Sequence, residues 1–365
     1  MKNALLVLLF GSIAFNLSAQ NSEYYISGKI TDAATTAPLQ AASVFAQNTT
    51  IGTATDSEGK FSLRLPNGGY DLVITFTGYE TVVKRITTAD ADNKNLVIEV
   101  KVKDKSLQDV VVKSSSEVKD GWQIYGDFFL ENFIGKTVNS KQCVIKNKDA
   151  VKFYFSKRKN RLKILAAEPL ELENTSLGYK IKYSLDSFTH EYATQISTYT
   201  GNALFEEIPQ TDSLQQQIIK ANRSKAYKGS ILHFMRSVYN KSLKEEGFEM
   251  QFLVKNNDAD TAIQLLNYYG ALNYDKDDSL KVVYIAANQP DIAVLFNNES
   301  PAQEYLESNP DVKNNFQLSE LHMKPDASIA IEQNGYYYDQ NDIVIGAYWT
   351  WEKVADMLPY DYIPE

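Results

Sequence analysis

Apolar and polar positions alternate with a period of two through much of the first hundred residues, the pattern of half-buried strands. Tyr24 to Thr31 alternates around Gly28, and Ala42 to Ala46 is a short apolar run. Phe61, Leu63 and Leu65 share one face of the segment from Lys60 to Leu65. Tyr70, Leu72, Ile74 and Phe76 share one face of the next. Leu96 to Val102 and Val110 to Val112 complete the set. Asp56-Ser57-Glu58-Gly59 and Asn67-Gly68-Gly69 supply turns between them. Short strands at this spacing predict a seven-stranded antiparallel β-sandwich over residues 20–113.

A Ser-rich linker is expected over 114–120, and the pattern resumes beyond it. Leu177, Tyr179, Ile181, Tyr183 and Leu185 alternate with Gly178, Lys180, Lys182 and Ser184, which predicts one buried and one wet face. Val151 to Phe155, Arg161 to Ala166 and Tyr192 to Tyr199 read as neighbouring strands. The period then lengthens. Ser213 and Gln216 form a capping-box pattern, and a long helix is predicted to about Glu246, bent or broken near Gly229. Tyr227, Ile231, Phe234 and Val238 fall on one helical face, and Gly247 is placed to end it. Phe248, Met250, Phe252 and Val254 form another strand. Strands are expected at Val282–Ala286, Ala293–Phe296, Ser328–Ile331 and Ile343–Tyr348, and a short amphipathic helix over Trp351, Val354, Ala355 and Leu358. The fold class is therefore mainly β with α, residues 121–365 making an α+β domain with an antiparallel sheet and one long helix.

The N-terminus changes where such a fold is expected to work. Lys2, the apolar run from Ala4 to Leu17 and Ser18-Ala19-Gln20 have the order of a signal peptide over 1–19, cleaved after Ala19. The run is short against the roughly 20 residues of a spanning helix, which disfavours an uncleaved anchor. No transmembrane segment is expected after cleavage. No cysteine lies near the cleavage point to carry a lipid. Cys143 is the only cysteine, so no intrachain disulfide forms, and an inert thiol is expected. The net charge of −9 argues against nucleic acid as a partner. The one dense basic run, Lys157, Arg158, Lys159 and Arg161, reads as a solvated hairpin tip.

Several motifs carry a resemblance. Gly28-Lys29-Ile30-Thr31-Asp32, Pro38-Leu39 before Ala42-Ser43-Val44, and Asp56-Ser57-Glu58-Gly59-Lys60-Phe61 resemble the carboxypeptidase-regulatory-like family, as do Tyr70-Asp71-Leu72 and Gly78-Tyr79. The resemblance implies a transthyretin-like sandwich. Asp56, Gly59 and Phe61 then have structural roles: Asp56 accepts backbone hydrogen bonds inside the turn, Gly59 supplies positive φ, and Phe61 is the first inward residue of the next strand. A calcium site at Asp56 and Glu58 would have too few ligands for a typical cage of about six to eight oxygens. In peptidases this module accompanies a catalytic zinc domain without cutting peptides, and in envelope proteins it precedes TonB-dependent receptors. This chain is too short to hold a plug and a large barrel. Further motifs resemble a group of bacterial envelope proteins, carboxypeptidase-like regulatory domain-containing proteins of no assigned activity. They are Ala226 to Ser230, His233-Phe234, Arg236, Tyr239-Asn240, Glu245 to Phe248, Gly201 with Leu204 to Glu207, and Ala355 to Pro359 with Asp361-Tyr362.

Candidate chemistry is sparse. His190, His233 and His322 show no zinc-peptidase spacing. No G-x-S-x-G or phosphate-loop motif occurs. The candidate binding residues are His233, Arg236, Tyr239 and Asn240, of which His233 and Arg236 are three apart on the predicted helix. They would hold a carboxylate or sugar hydroxyl, or else anchor the helix to the sheet. Trp349 or Trp351 would stack on a sugar or pack in the core. The expectation is a non-catalytic, exported protein of a Gram-negative envelope, periplasmic or outer-membrane-associated. It would have a binding or adaptor role toward an envelope protein or glycan, and neither metal nor cofactor. Two alternatives stand beside it: a hydrolase of peptide or glycan using His233, and an accessory of TonB-dependent uptake. Whether the helix cluster converges with Glu206, Glu207 and Asp361 in an open cleft separates a site from structural glue.

Overall fold

The computed structural model describes residues 23–88, 93–103, 116–256, 259–338 and 340–364. The expected signal peptide, the strand at Val110–Val112 and the first part of the linker lie outside them. No helix among the described residues is long and apolar enough to cross a membrane.

The first unit is the expected seven-stranded sandwich. Its strands are β1 (Glu23–Asp32), β2 (Ser43–Ala46), β3 (Gly52–Ala54), β4 (Lys60–Pro66), β5 (Tyr70–Thr75), β6 (Val82–Ile86) and β7 (Leu96–Val100). One sheet runs β4-β1-β7 and the other β3-β2-β5-β6. Ile26, Ile30, Val44, Leu65, Leu72 and Ile74 fill the space between them. One pairing departs from the antiparallel expectation: β1 and β7 run parallel. Gly28 lets them approach, because a Cβ there would press on the Leu96 carbonyl and stand 2.8 Å from Leu96 Cβ and 2.9 Å from the Phe61 ring. Gly28→Ala should therefore cost about 2 kcal/mol of stability, read from the denaturant midpoint. Asp56 closes the turn before β4. Asp56 Oδ1 accepts from the Glu58 and Lys60 backbone amides at 2.8 and 2.9 Å, Gly59 sits at φ 75°, and Phe61 is buried.

Helix α1 (Gly121–Phe133) leads into a six-stranded sheet of β8 (Cys143–Ile145), β9 (Val151–Ser156), β10 (Arg161–Ala166), β11 (Leu170–Asn174), β12 (Tyr179–Glu191) and β13 (Ile196–Glu207). The long β12 is the spine. It pairs with β13 along one side, and with β11 and then β10 along the other. Tyr179, Ile181, Tyr183 and Leu185 are buried as the alternation requires. A register shift between Leu185 and Ser187 then changes phase, so that Phe188 and His190 face the core instead. The strand expected at Tyr192–Tyr199 begins later, at Ile196. Tyr192 starts a tight turn, its amide bonded to the Asn160 carbonyl and Gln195 at φ 57°. Phe129 and Phe133 of α1 pack on the buried face.

The long helix is two helices, α2 (Ser213–Tyr227) and α3 (Ile231–Asn240), broken at Gly229 with φ 77°. Asp212 rather than Ser213 caps α2, accepting from the Leu214 amide, and Ser230 caps α3. Lys241 at φ 57° ends α3, six residues before the expected Gly247. The break divides the predicted apolar face. Tyr227 joins the core of the six-stranded sheet, while Phe234 and Val238 join the next.

That next core is built from β14 (Phe248–Asn256), β15 (Ala259–Gln264), β16 (Asp275–Asp277), β17 (Val282–Ile285), β18 (Asp291–Phe296), β19 (Gln317–Met323), β20 (Ile329–Glu332) and β21 (Ile343–Ala347). They form a five-stranded sheet, β15-β14-β18-β19-β21, and a three-stranded one, β16-β17-β20. The expected helix at Trp351–Leu358 is instead irregular chain with a 3₁₀ turn at Val354–Asp356. Lys353 is extended, which breaks the helical period, yet Val354, Ala355 and Leu358 are still buried on the six-stranded sheet.

Candidate functional site

The helix cluster named from sequence spreads in four directions. His233 is buried among Tyr227, Phe248 and Phe296. Its Nδ1 accepts from the Gly229 amide at 3.1 Å, so its proton lies on Nε2, which faces Glu246 at 3.2 Å. Burial holds its pKa below the usual histidine value, with Glu246 working against that. Arg236 donates to three backbone carbonyls: Nε to Asn334 at 2.9 Å, Nη1 to Tyr362 at 2.9 Å and Nη2 to Tyr360 at 3.0 Å. Tyr239 donates to the Lys281 carbonyl at 3.0 Å. Asn240 is exposed at the end of α3.

What Arg236 grips is the C-terminal segment, which runs across the meeting point of all three units. The Tyr360 amide donates to the Asn48 carbonyl at 2.7 Å, and the Thr50 amide donates to Asp361 Oδ1 at 2.9 Å. Both partners belong to the turn between β2 and β3. The same turn extends β13, with the Asn48 amide donating to the Ala203 carbonyl and the Phe205 amide to the Thr49 carbonyl. Upstream, the Ala355 amide bonds the Ile134 carbonyl, and Asn174 Nδ2 donates to the Ala355 carbonyl. A second contact joins the sandwich to the last unit. Tyr336 donates to Asp71 Oδ2 at 2.6 Å, and Arg85 pairs with buried Glu332 at 2.9 Å while stacking 3.6 Å over the Tyr338 ring.

Beside this C-terminal strap, residues 355–363, lies a groove of about 330 Å³. Tyr179, Pro359, Tyr362 and Ile363 give it apolar surface, and Thr50, Glu207, Lys220, Ser224 and Asp361 give it polar groups. Arg223 forms one wall and is held on every side. Its Nε donates to the Leu177 carbonyl at 2.8 Å, Nη1 meets Glu207 at 3.0 Å, and the guanidinium lies 3.9 Å over the Tyr179 ring. Burial pushes the Tyr179 phenol well above its usual range, against the pull of Arg223. The groove therefore offers fixed charges of both signs, hydroxyls and the apolar surface of Pro359, Tyr362 and Ile363, while the Tyr179 ring is itself buried beneath Arg223. Of the expected participants, Glu207 and Asp361 reach it, while His233, Tyr239 and Asn240 do not line it. Arg236 acts only through the strap it holds.

The histidines lie apart. His190 Nδ1 meets Ser197 Oγ at 2.9 Å inside the six-stranded unit, and exposed His322 bonds Asp291. Among the described residues no group of His, Cys, Asp and Glu is arranged to hold a metal ion. Cys143 is buried, and burial pushes its thiol up to about 12. Trp349 is a core residue whose Nε1 donates to the Gly229 carbonyl at 2.8 Å, and half-buried Trp351 packs its edge on Tyr305.

The sandwich and its Asp56 turn coincide with a family pattern. The model of the CarboxypepD_reg-like domain matches residues 26–112. The first unit is a CarboxypepD_reg-like domain. No curated protein matches the chain in sequence. Solved structures similar to parts of it include three of different kinds. A pilus 2b backbone protein of group B streptococcus is 19% identical over 23% of this chain and 42% of its own, with a TM-score of 0.19. The chain thus spans less than half of that protein. A DUF3823 family protein from Bacteroides ovatus is 14% identical over 52% of this chain and 83% of its own, with a TM-score of 0.18. A 9R-lipoxygenase from Cyanothece is 8% identical over 60% of this chain and 48% of its own, with a TM-score of 0.16.

Sequence reasoning missed Tyr179, Lys220 and Arg223 as groove residues. No local signal marks them, since Tyr179 reads as one more inward strand residue and the two cations as a wet helix face. Asp361-Tyr362 of the strap and Leu204 to Glu207 of β13 stand among the motifs singled out in the sequence.

Proposed function

We propose that the protein is a non-catalytic, exported envelope protein with a binding role, and that it recognises a polar envelope ligand of glycan type in the groove beside the strap. The observation behind this reading is the groove's make-up. The half-buried Tyr362 and the exposed Ile363 lie beside opposite charges and hydroxyls in a hollow the size of a small ligand. The CarboxypepD_reg-like domain contributes Thr50 to the rim and, clamped to both other units, acts as a rigid wall. Sugars present an apolar face and hydroxyl edges, which suits such a lining.

The test is thermal unfolding with soluble envelope oligosaccharides and peptidoglycan fragments. A binding ligand raises the midpoint by mass action, by about 2.7 kcal/mol of stability at a hundred times its dissociation constant. Lys220→Met and Glu207→Gln, which keep side-chain volume, should remove that rise. If no fragment moves the midpoint of the wild-type protein, the glycan reading fails.

A further inference from the structure

The hairpin of β9 and β10 is charged unlike the rest of the chain. Residues 151–166 hold Lys152, Lys157, Arg158, Lys159, Arg161 and Lys163 and no Asp or Glu, in a protein of net charge −9. Lys157, Arg158 and Lys159 make the tip, and all three are exposed. Among the described residues Arg161 is ion-paired, to Glu191, and Glu117 is bridged by backbone to Tyr154 of β9. Among the described residues the three tip cations meet no carboxylate within ion-pair distance.

A second tip lies against the first. The Tyr192 amide donates to the Asn160 carbonyl at 3.2 Å, which joins the β9–β10 turn to the β12–β13 turn. Residues 193–196 are exposed there, and Ile196 is 55% exposed. Half-buried aromatic rings back the pair: Tyr192 on Phe155 at 5.9 Å, Tyr192 on Phe128 at 6.4 Å and Phe155 on Tyr125 at 6.5 Å. Ile124, on the helical turn that carries Tyr125 and Phe128, is also exposed.

We propose that this paired tip docks the protein on a membrane surface bearing anionic lipid. Unpaired cations draw it to lipid phosphates, each contributing about 1 kcal/mol near such a surface. Aromatic and aliphatic side chains beside them suit the headgroup boundary, where amphipathic rings are favoured. A purely electrostatic polyanion site needs the cations but not Ile196 or the ring cluster, and this favours lipid over a soluble glycan or an acidic protein. The acidic remainder of the chain is repelled by the same surface, so contact is restricted to this end. The inference rests on the hairpin alone and is independent of the groove.

The test compares the full chain with vesicles of phosphatidylcholine alone and of phosphatidylcholine with phosphatidylglycerol. Any binding through the N-terminal apolar run is common to wild type and variants, so a local readout is added. Thr194→Cys carries an environment-sensitive fluorophore, which buried Cys143 does not take up. The expected result is a blue-shifted emission on anionic vesicles only. Charge reversal at Lys157, Arg158 and Lys159 should weaken that response at least about tenfold, and Ile196→Ser should reduce it. Unchanged thermal midpoints show that the variants fold. The proposal is overturned by no emission shift on anionic vesicles, by an equal shift on neutral ones, or by a charge-reversed variant that responds like wild type. Competition by soluble heparin that Ile196→Ser leaves unaltered would assign the tip to polyanions and overturn the lipid assignment.

Discussion

Arg236→Met should lower the stability of the protein by roughly 4 kcal/mol and free its C-terminal segment. The guanidinium closes three hydrogen bonds to carbonyls that are far from it in sequence, those of Asn334, Tyr360 and Tyr362. Charge-assisted hydrogen bonds contribute about 1.5–3 kcal/mol each, and carbonyls near the surface recover part of the loss from water. Methionine keeps most of the apolar stem, so the change reports on the bonds rather than on packing. Lysine should rescue little, because a single ammonium cannot satisfy carbonyls spread around a planar fork. The bonds of Tyr360 to Asn48 and of Asp361 to Thr50 depend on the segment lying in place. Arg236→Met should therefore loosen the hold on the sandwich as well. A lower denaturant midpoint, together with new protease cleavage near residues 359–363, is the expected signature. A midpoint within about 0.5 kcal/mol of wild type, with the segment still resistant, would show that the strap is held by packing alone.

The parts of this architecture that could be read from the chain are those whose signal is local. The Asp56 turn works within five residues, and the alternation of β12 needs only its own side chains, so both were legible. β3 and β6 were not. Gly52-Thr53-Ala54 is too short to show a period, and Val82 to Ile86 carries Lys84 and Arg85 on a sheet edge, where the apolar alternation fades. The phase change in β12 was hidden because a bulge is a backbone event with no residue signature at Asp186. The Trp351–Leu358 segment has helical spacing, but its apolar residues are buried by irregular chain with a 3₁₀ turn, pressed on another unit. The helix cluster was legible as polar residues on one helix. Its meaning was not, since the partners of Arg236 are main-chain carbonyls 98 to 126 residues away. Backbone partners leave no trace in side-chain spacing. Motifs without an evident local purpose, such as Asp361-Tyr362 and Leu204 to Glu207, prove to be where distant units touch.

The strap also makes stability fall as pH rises. Asp356 lies where the segment meets the six-stranded unit, accepting from Thr137 Oγ1 at 2.9 Å and Asn139 Nδ2 at 2.9 Å. Burial raises its carboxyl from 3.8 to about 6, although these hydrogen bonds and Lys225 pull it down. The folded protein thus binds this proton more tightly than the unfolded chain. Below about pH 3 both states are protonated and almost no penalty exists; between about pH 3 and 6 the unfolded state ionises first and stability drops. Above about pH 6 the loss is complete, at roughly 3 kcal/mol for this rise in pKa. Glu352 is displaced in the same direction, first by burial and then by Asp356. Asp356→Asn keeps the shape and can still accept from Asn139 while removing the charge. The stability difference between variant and wild type should then move in the variant's favour by roughly 2.4 kcal/mol from pH 4 to pH 7. Urea titrations of both proteins at the two pH values measure it. A pH-independent difference would mean that the Asp356 carboxyl is hydrated enough to ionise freely, and that the strap opens to water at this point.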